Sequence, residues 1–203
     1  AGLLSVRDGP FGEMIDLMES PAFAYCDHQV AHLYVPDSHH RAKVAALFEG
    51  KPGVAEVLDE TSKQSHGLHH PNSGELVLLA EPDSWFSYHY WLEDRRAPDF
   101  ARTVDIHRKP GYDPLELFFD PAIGNPKLRV GRKVIAKKLG FRALVDVTPL
   151  DNSLVRGSPG VAPQSAEEGP LLLSPNPALA PRGASMTDVA PLAMQALGFS
   201  EVL

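Results

Sequence analysis

The stretch AFAYCDHQVAHLYVPDSHHRAKVAALFEG, residues 22–50, decides the fold class. Residues 22–35 alternate well enough to read as one strand. The polar Pro36-Asp37-Ser38 then makes a turn, and Ser38 is the expected N-cap of a helix over 39–48. Val44, Leu47 and Phe48 form the apolar stripe of that helix, Gly50 suits a left-handed stop, and Pro52-Gly53 prevents continuation. Further on, 54–58 reads as a second strand. The apolar run 75–80 and the aromatic-rich run 84–91, joined by Glu81-Pro82-Asp83, read as two antiparallel strands. The order strand, helix, strand, strand, strand predicts an α+β layer, a mixed sheet with a helix packed on one face.

Outward from this layer the pattern loosens over 95–126. A basic segment follows in Lys127, Arg129, Arg132, Lys133, Lys137, Lys138 and Arg142. Within it Val130, Val134, Ile135 and Leu139 recur at helical spacing, which predicts an amphipathic helix ending at Gly140. A Pro/Gly-rich loop over 156–184 is broken by Leu171-Leu172-Leu173, a run suited to a buried strand. A last helix is expected to be capped by Ser185 or Thr187. It has Val189, Leu192, Ala193, Ala196 and Leu197 on one face, and it stops at Gly198.

The 203 residues suffice for one sizeable core. Nineteen Lys and Arg against 26 Asp and Glu give a net charge of −7, which excludes a global cationic footprint for nucleic acid or anionic membrane. No apolar run reaches the roughly 18 residues of a membrane span. Cys26, the single cysteine, permits neither an internal disulfide nor a cysteine zinc cage, and this fits a reducing compartment, with the cytoplasm as the expectation. The sequence begins at Ala1, without Met or a signal-like segment.

Nine histidines invite a metal reading. His28 and His32 are four apart, about 13 Å along a strand, too far for one ion. His66, His69 and His70 lie close in a loop but have no carboxylate near them in sequence, and His39 and His40 open a helix into solvent. The densest chemistry is Asp105-Ile106-His107-Arg108-Lys109-Pro110-Gly111-Tyr112-Asp113. On an extended segment Asp105 and His107 face one way, and Asp113 follows a Pro-Gly turn. The run suits a metal, a general base, a phosphate held by Arg108 and Lys109, or a satisfied polar core beneath a turn. The basic helix reads as a solvated face. The aromatics Trp85, Phe86, Tyr88, Tyr90 and Trp91 read as core more than as a stacking platform for bases. There is no Gly-rich phosphate loop and no nucleophile elbow.

Several of these residues carry a resemblance. His66-Gly67-Leu68, Ser73-Gly74-Glu75-Leu76-Val77, Trp85-Phe86, Tyr90-Trp91, the run APDFARTVDIHRKPGYD at 97–113, Asp146 to Leu150 and Leu154-Val155-Arg156-Gly157-Ser158 resemble bacterial members of the type I phosphodiesterase/nucleotide pyrophosphatase group, in the alkaline phosphatase superfamily. The resemblance implies an α/β protein, with residues 1–120 as a cap-like α+β subdomain and 121–203 as the C-terminal part of an alkaline-phosphatase-like α/β core. It covers only the later part of such an enzyme, which in its intact form holds two divalent ions, zinc or manganese, and attacks phosphorus with a Thr or Ser. That nucleophile and most ligands precede a Ser-Asp-His-Gly-like segment, just after which this sequence is expected to begin. Asp27-His28-Gln29 has Gln29 where that segment has glycine, so no metal role passes to it.

The family's late metal-binding His falls in a Gly-Ser-His-Gly-like stretch, and here Gly157-Ser158-Pro159-Gly160 puts a proline at that position. Proline offers a metal no lone pair. The resemblance therefore implies no metal ligand and no catalytic residue in this chain. Asp105, His107, Lys109, Tyr112 and Asp113 remain as substrate or supporting contacts. A phosphorylated small molecule is the expected substrate of the intact protein, and the missing N-terminal half or a second copy is the expected partner. The alternatives are a non-catalytic binding protein derived from that family and a metal-binding module built on the His-rich loops.

Overall fold

The 22–35 stretch does not run as one strand. In the computed structural model, which describes residues 1–157, 159–181 and 183–199, it folds back on itself as two strands, β3 (Phe23–Asp27) and β4 (Val30–Tyr34). Asp27 pairs with Val30, so His28 and Gln29 make the whole turn, with His28 in the left-handed region at φ 54°. The polar triplet Asp27-His28-Gln29, which passes for the outer face of a long strand, is turn chemistry.

Helix α1 (Ser38–Phe48) follows as expected, but its cap is Asp37, whose carboxylate accepts from the His39 amide. It leads into β5 (Val54–Leu58) and a short helix, α2 (Glu60–Ser65). Strand β6 (Leu76–Ala80) then inserts between β4 and β5, giving the order β3-β4-β6-β5. The strands that flank α1 run the same way, yet β6 separates them and opposes both, so every pairing is antiparallel and the expected mixed sheet is corrected. Cys26, Ala31, Leu33, Val35, Leu76 and Leu78 make the core with Val44 of α1 and with Leu3. Full burial of these side chains is the main driving force available to the sheet.

Residues 84–91 do not form the expected fourth neighbour. Phe86 donates one backbone hydrogen bond to the His28 carbonyl, and the chain then turns its aromatics away from the sheet. Tyr88 and Trp91 build a second core with Phe100, Ala101 and Leu150, where side-chain packing outweighs ladder formation. A hairpin that the sequence pattern did not disclose, β1 (Ser5–Gly9) with β2 (Gly12–Asp16), closes against this core. Tyr90 donates its hydroxyl to the Glu13 carbonyl, and Arg96 pairs with the buried Glu13 carboxylate.

The chain divides into two compact units, Ala1–Val161 and Ala162–Leu203, with residues 121–161 in the first. The amides of Asp120 and Thr148 donate to the Val147 and Arg102 carbonyls and stitch this segment down. Its helix α3 (Pro126–Lys138) starts at an Asn125 cap and buries no residue. In the second unit, Ser185 caps a single 3₁₀ turn, Met186–Asp188, that runs directly into α4 (Val189–Ala196). Leu171 and Leu173 are 81% and 80% exposed and form no strand, because among the described residues this unit contains no strand to pair with. The architecture is α+β. No described helix is long and apolar enough to cross a membrane.

Helix α3 is anchored through Asp146, which takes Arg129 at 2.5 Å and Lys133 at 3.0 Å. Burial pushes the Asp146 carboxyl up, but the hydrogen bonds from Arg129 and Lys133 outweigh it and hold the group at about 2, below the ordinary 3.8. A carboxyl that titrates lower in the folded chain than in the unfolded one stabilises the fold above about pH 4, and the contribution fades as the pH falls toward about 2. Asp146→Asn should lower stability at neutral pH. Its urea midpoints should also fall less steeply than the parent's between about pH 5 and about pH 2.

Candidate functional site around the β3–β4 turn

The run 105–113 is brought to the sheet by a backbone contact. The Tyr112 amide donates to the Cys26 carbonyl at 2.8 Å and the Cys26 amide to the Pro110 carbonyl at 3.4 Å. Gly111 permits this approach: at φ 132°, a Cβ there would lie 2.1 Å from the Cys26 carbonyl oxygen. The ring of Tyr112 is thereby set 4.5 Å from the His28 ring, tilted by 30°. Beside this pair, burial pushes the Cys26 thiol up to about 12, so it is not a nucleophile at neutral pH.

The charged residues of the run do a different job from the one their spacing suggests. Lys109 is fully buried at the side chain, and its three ammonium hydrogens meet three acceptors: Asp113 Oδ2 at 2.7 Å, Glu116 Oε1 at 2.7 Å and the Thr103 carbonyl at 2.8 Å. Asp113 also caps the 3₁₀ turn Pro114–Leu117 by accepting from the Leu115 amide. Glu116, which sequence reasoning missed, accepts the Asp105 amide as well. Among the readings open to this run, Lys109 and Asp113 take the satisfied polar core beneath a turn.

Asp105 and His107 do not pair as side chains. The chain turns at this point, so the Asp105 carboxylate accepts from the His107 backbone amide and from Arg108, while the imidazole is exposed. Burial raises the Asp105 carboxyl, and these bonds overcome it and bring it below the usual range. Arg108 is thus committed to carboxylates and Lys109 is sealed, so neither is available as the phosphate clamp that their sequence positions offered.

The other convergence lies at Gln29, also missed from sequence. Its side-chain amide donates to the Pro82 carbonyl at 3.0 Å and the Ser84 carbonyl at 3.1 Å, while its Oε1 accepts the Val161 amide at 3.3 Å. The Gln29 backbone amide donates to the Pro159 carbonyl, and a Cβ on Gly160 would sit 2.9 Å from the Gln29 Cβ. One buried side chain therefore ties the β3–β4 turn to the 81–84 turn and to 159–161. Ser158 lies outside the described residues.

The His-rich loops separate. His69 meets Glu60 at 2.8 Å and His66 meets Glu56 at 3.6 Å, so folding supplies carboxylates that sequence proximity did not. His70 Nδ1 accepts the Asn72 amide. His32 Nδ1 accepts the Gly74 amide, and burial, reinforced by Lys63, holds the His32 pKa down. His39 and His40 share Asp37. Among the described residues no three His, Cys, Asp or Glu side chains converge on one point. Pro159 is exposed and its carbonyl is engaged with Gln29, so these residues do not fit a two-metal centre by themselves. Tyr88 and Trp91 are core and do not form a base-stacking platform.

No family model, no curated protein and no solved structure matches the chain. What the geometry leaves at the surface of the site is Tyr112, about 40% exposed and resting on the half-buried His28 ring, with the Lys109 cluster fixing the loop that carries it.

Lys109→Met should leave Asp113 and Glu116 as buried carboxylates without their cation and cost about 3–5 kcal/mol in urea unfolding. His107→Ala, at an exposed imidazole, should change stability by less than about 0.5 kcal/mol.

Proposed function

We propose that the chain is the later, C-terminal portion of a metal-dependent phosphodiesterase or nucleotide pyrophosphatase-like hydrolase, with residues 1–120 serving as its cap. In this reading residues 121–203 contribute to the alkaline-phosphatase-like α/β core. The observation that carries it is the convergence on one hairpin turn: Tyr112 from the 97–113 run lies on His28, and Pro159 from the 157–160 stretch lies on Gln29. The first segment is the longest run of the family resemblance and the second is where the family's late His position falls, and they are more than 40 residues apart in sequence. A site assembled from distant segments requires such a convergence, and the reading takes this one as its trace.

Within that reading the chain supplies positioning and no bond-making group. Lys109, Asp113 and Glu116 hold the loop that carries Tyr112, and Gln29 holds the stretch at Pro159. Tyr112, about 40% exposed and seated on the His28 ring, offers an aromatic edge with a hydroxyl to a phosphorylated small molecule. Zinc or manganese would be held by residues of another part of the hydrolase. A reducing, cytoplasmic setting goes with this reading, since Cys26 is a buried free thiol.

The purified chain, given zinc or manganese and a chromogenic phosphodiester, should show no turnover above the metal-only background; saturable turnover would overturn the reading. The gene upstream of Ala1 should encode a nucleophilic Thr or Ser and a Ser-Asp-His-Gly-like segment, and a start codon directly before Ala1 would count decisively against it. In the polypeptide that includes those residues, Pro159→His should raise bound zinc, measured by elemental analysis, because imidazole restores a lone pair where proline has none. Unchanged metal content would mean that Pro159 does not stand at the ligand position.

A further inference from the structure

Helix α3 meets the body of its unit with one side only. Val130, Lys133 and Ala136 are half-buried there, and Arg129 and Lys133 reach Asp146. On the opposite side Leu128, Ile135 and Leu139 are 61%, 60% and 70% exposed. At about 100° per residue these three fall within about 40° of one another, a single apolar stripe with spacings of seven and four. Gly131 lies at the edge of the stripe, and a Cβ there would meet nothing within 4 Å, so another backbone can approach closely. A groove of about 470 Å³ runs beside its first half, lined by Ile123, Leu128, Arg129 and Arg132 among others.

The stripe is bordered by cations. Lys127 and Lys138 fall on one flank and Arg132 on the other, and among the described residues none of the three makes an ion pair. Large apolar side chains at heptad-like spacing with charge on both flanks make up the pattern by which one helix selects another, the flanks choosing the partner by opposite charge. A second copy meeting the same face would set cations against cations. An anionic bilayer would gain only three large side chains from a helix of this length, against the repulsion of a chain carrying −7 overall.

We infer that the outward face of α3 is a docking surface for an acidic amphipathic helix of another polypeptide, with its apolar stripe on Leu128, Ile135 and Leu139 and its carboxylates on Lys127, Arg132 and Lys138. The face is exposed in the 203-residue chain and the inference uses nothing of the hydrolase reading, so its failure would leave that reading untouched.

The test uses a fluorescent synthetic helix of about 20 residues with leucines at the a and d positions and glutamates at e and g, and a counterpart with lysines replacing the glutamates. Fluorescence anisotropy with the 203-residue chain should show saturable binding of the acidic peptide that weakens as salt rises, and binding of the basic one about tenfold or more weaker. Ile135→Ser should abolish binding, and the Arg132→Glu/Lys138→Glu pair should weaken it about tenfold or more. All three positions are exposed, so the variants should keep the parent's circular dichroism and melting temperature. Equal binding of the two peptides, or none, overturns the inference. So does retention of the chain on phosphatidylserine vesicles, or dimerisation in light scattering, that Ile135→Ser removes; the first assigns the face to a membrane and the second to a copy of the chain.

Discussion

The buried ammonium of Lys109 is the interaction on which the rest of the site depends. A lysine taken out of water is tolerated only when its charge and all three hydrogens are answered, and here Asp113, Glu116 and the Thr103 carbonyl answer them within 2.8 Å. Because Asp113 also caps the following 3₁₀ turn and Glu116 also holds the Asp105 amide, the one cation sets the path of the chain from 103 to 117. That path presents Gly111 to β3 and Tyr112 to His28. Well-packed apolar side chains of similar volume often match a buried ion cluster in stability, but they would leave the Asp105 and Leu115 amides without the carboxylates that accept them here. The polar cluster thus specifies a conformation more than it adds stability.

Gln29 plays the corresponding part on the other side of the hairpin turn. Five residues of two separate loops, Glu81, Pro82, Ser84, Pro159 and Val161, share its side-chain amide and backbone N–H, so the turn cannot move without the 81–84 and 159–161 segments moving too. The two clusters grip the β3–β4 turn from opposite ends, one through the Cys26 backbone and one through Gln29. The tip of an otherwise ordinary antiparallel hairpin becomes the fixed point for segments separated by more than 100 residues in sequence.

Legibility in the sequence followed the range of the interactions involved. Helices α1, α3 and α4 and strands β5 and β6 were readable because caps, glycine stops and apolar periodicity act over a few residues. The hairpin turn at His28 was not, since its two turn positions, His28 and Gln29, carry none of the Gly, Asn, Asp or Pro signals of a tight turn and only the pairing of Asp27 with Val30 reveals the fold-back. Residues 84–91 carry a strand-like pattern but bury their aromatics in a core assembled from Phe100 and Leu150, partners invisible from the pattern itself. The insertion of β6 between β4 and β5 is likewise a long-range choice. At the site, the spacing of Lys109 and Asp113 was visible, whereas Glu116 and Gln29 gain their roles only from acceptors and donors that folding brings to them.

The apolar residues left outside both cores sharpen what kind of molecule this is. A single exposed leucine is ordinary, but α3 and α4 bury no residue at all, and Leu171 and Leu173 lie in solvent beside prolines. Large apolar side chains stand exposed before residue 120, at Met18, Leu92 and Leu117, as well as after it, while the β3–β6 sheet buries most of its own, so the sequence is patterned for two different environments. The first is an interior that the chain completes alone. The second is an exposed apolar surface, and the cations flanking the α3 stripe, without an ion pair among the described residues, give that surface a charge that an acidic helix would complement.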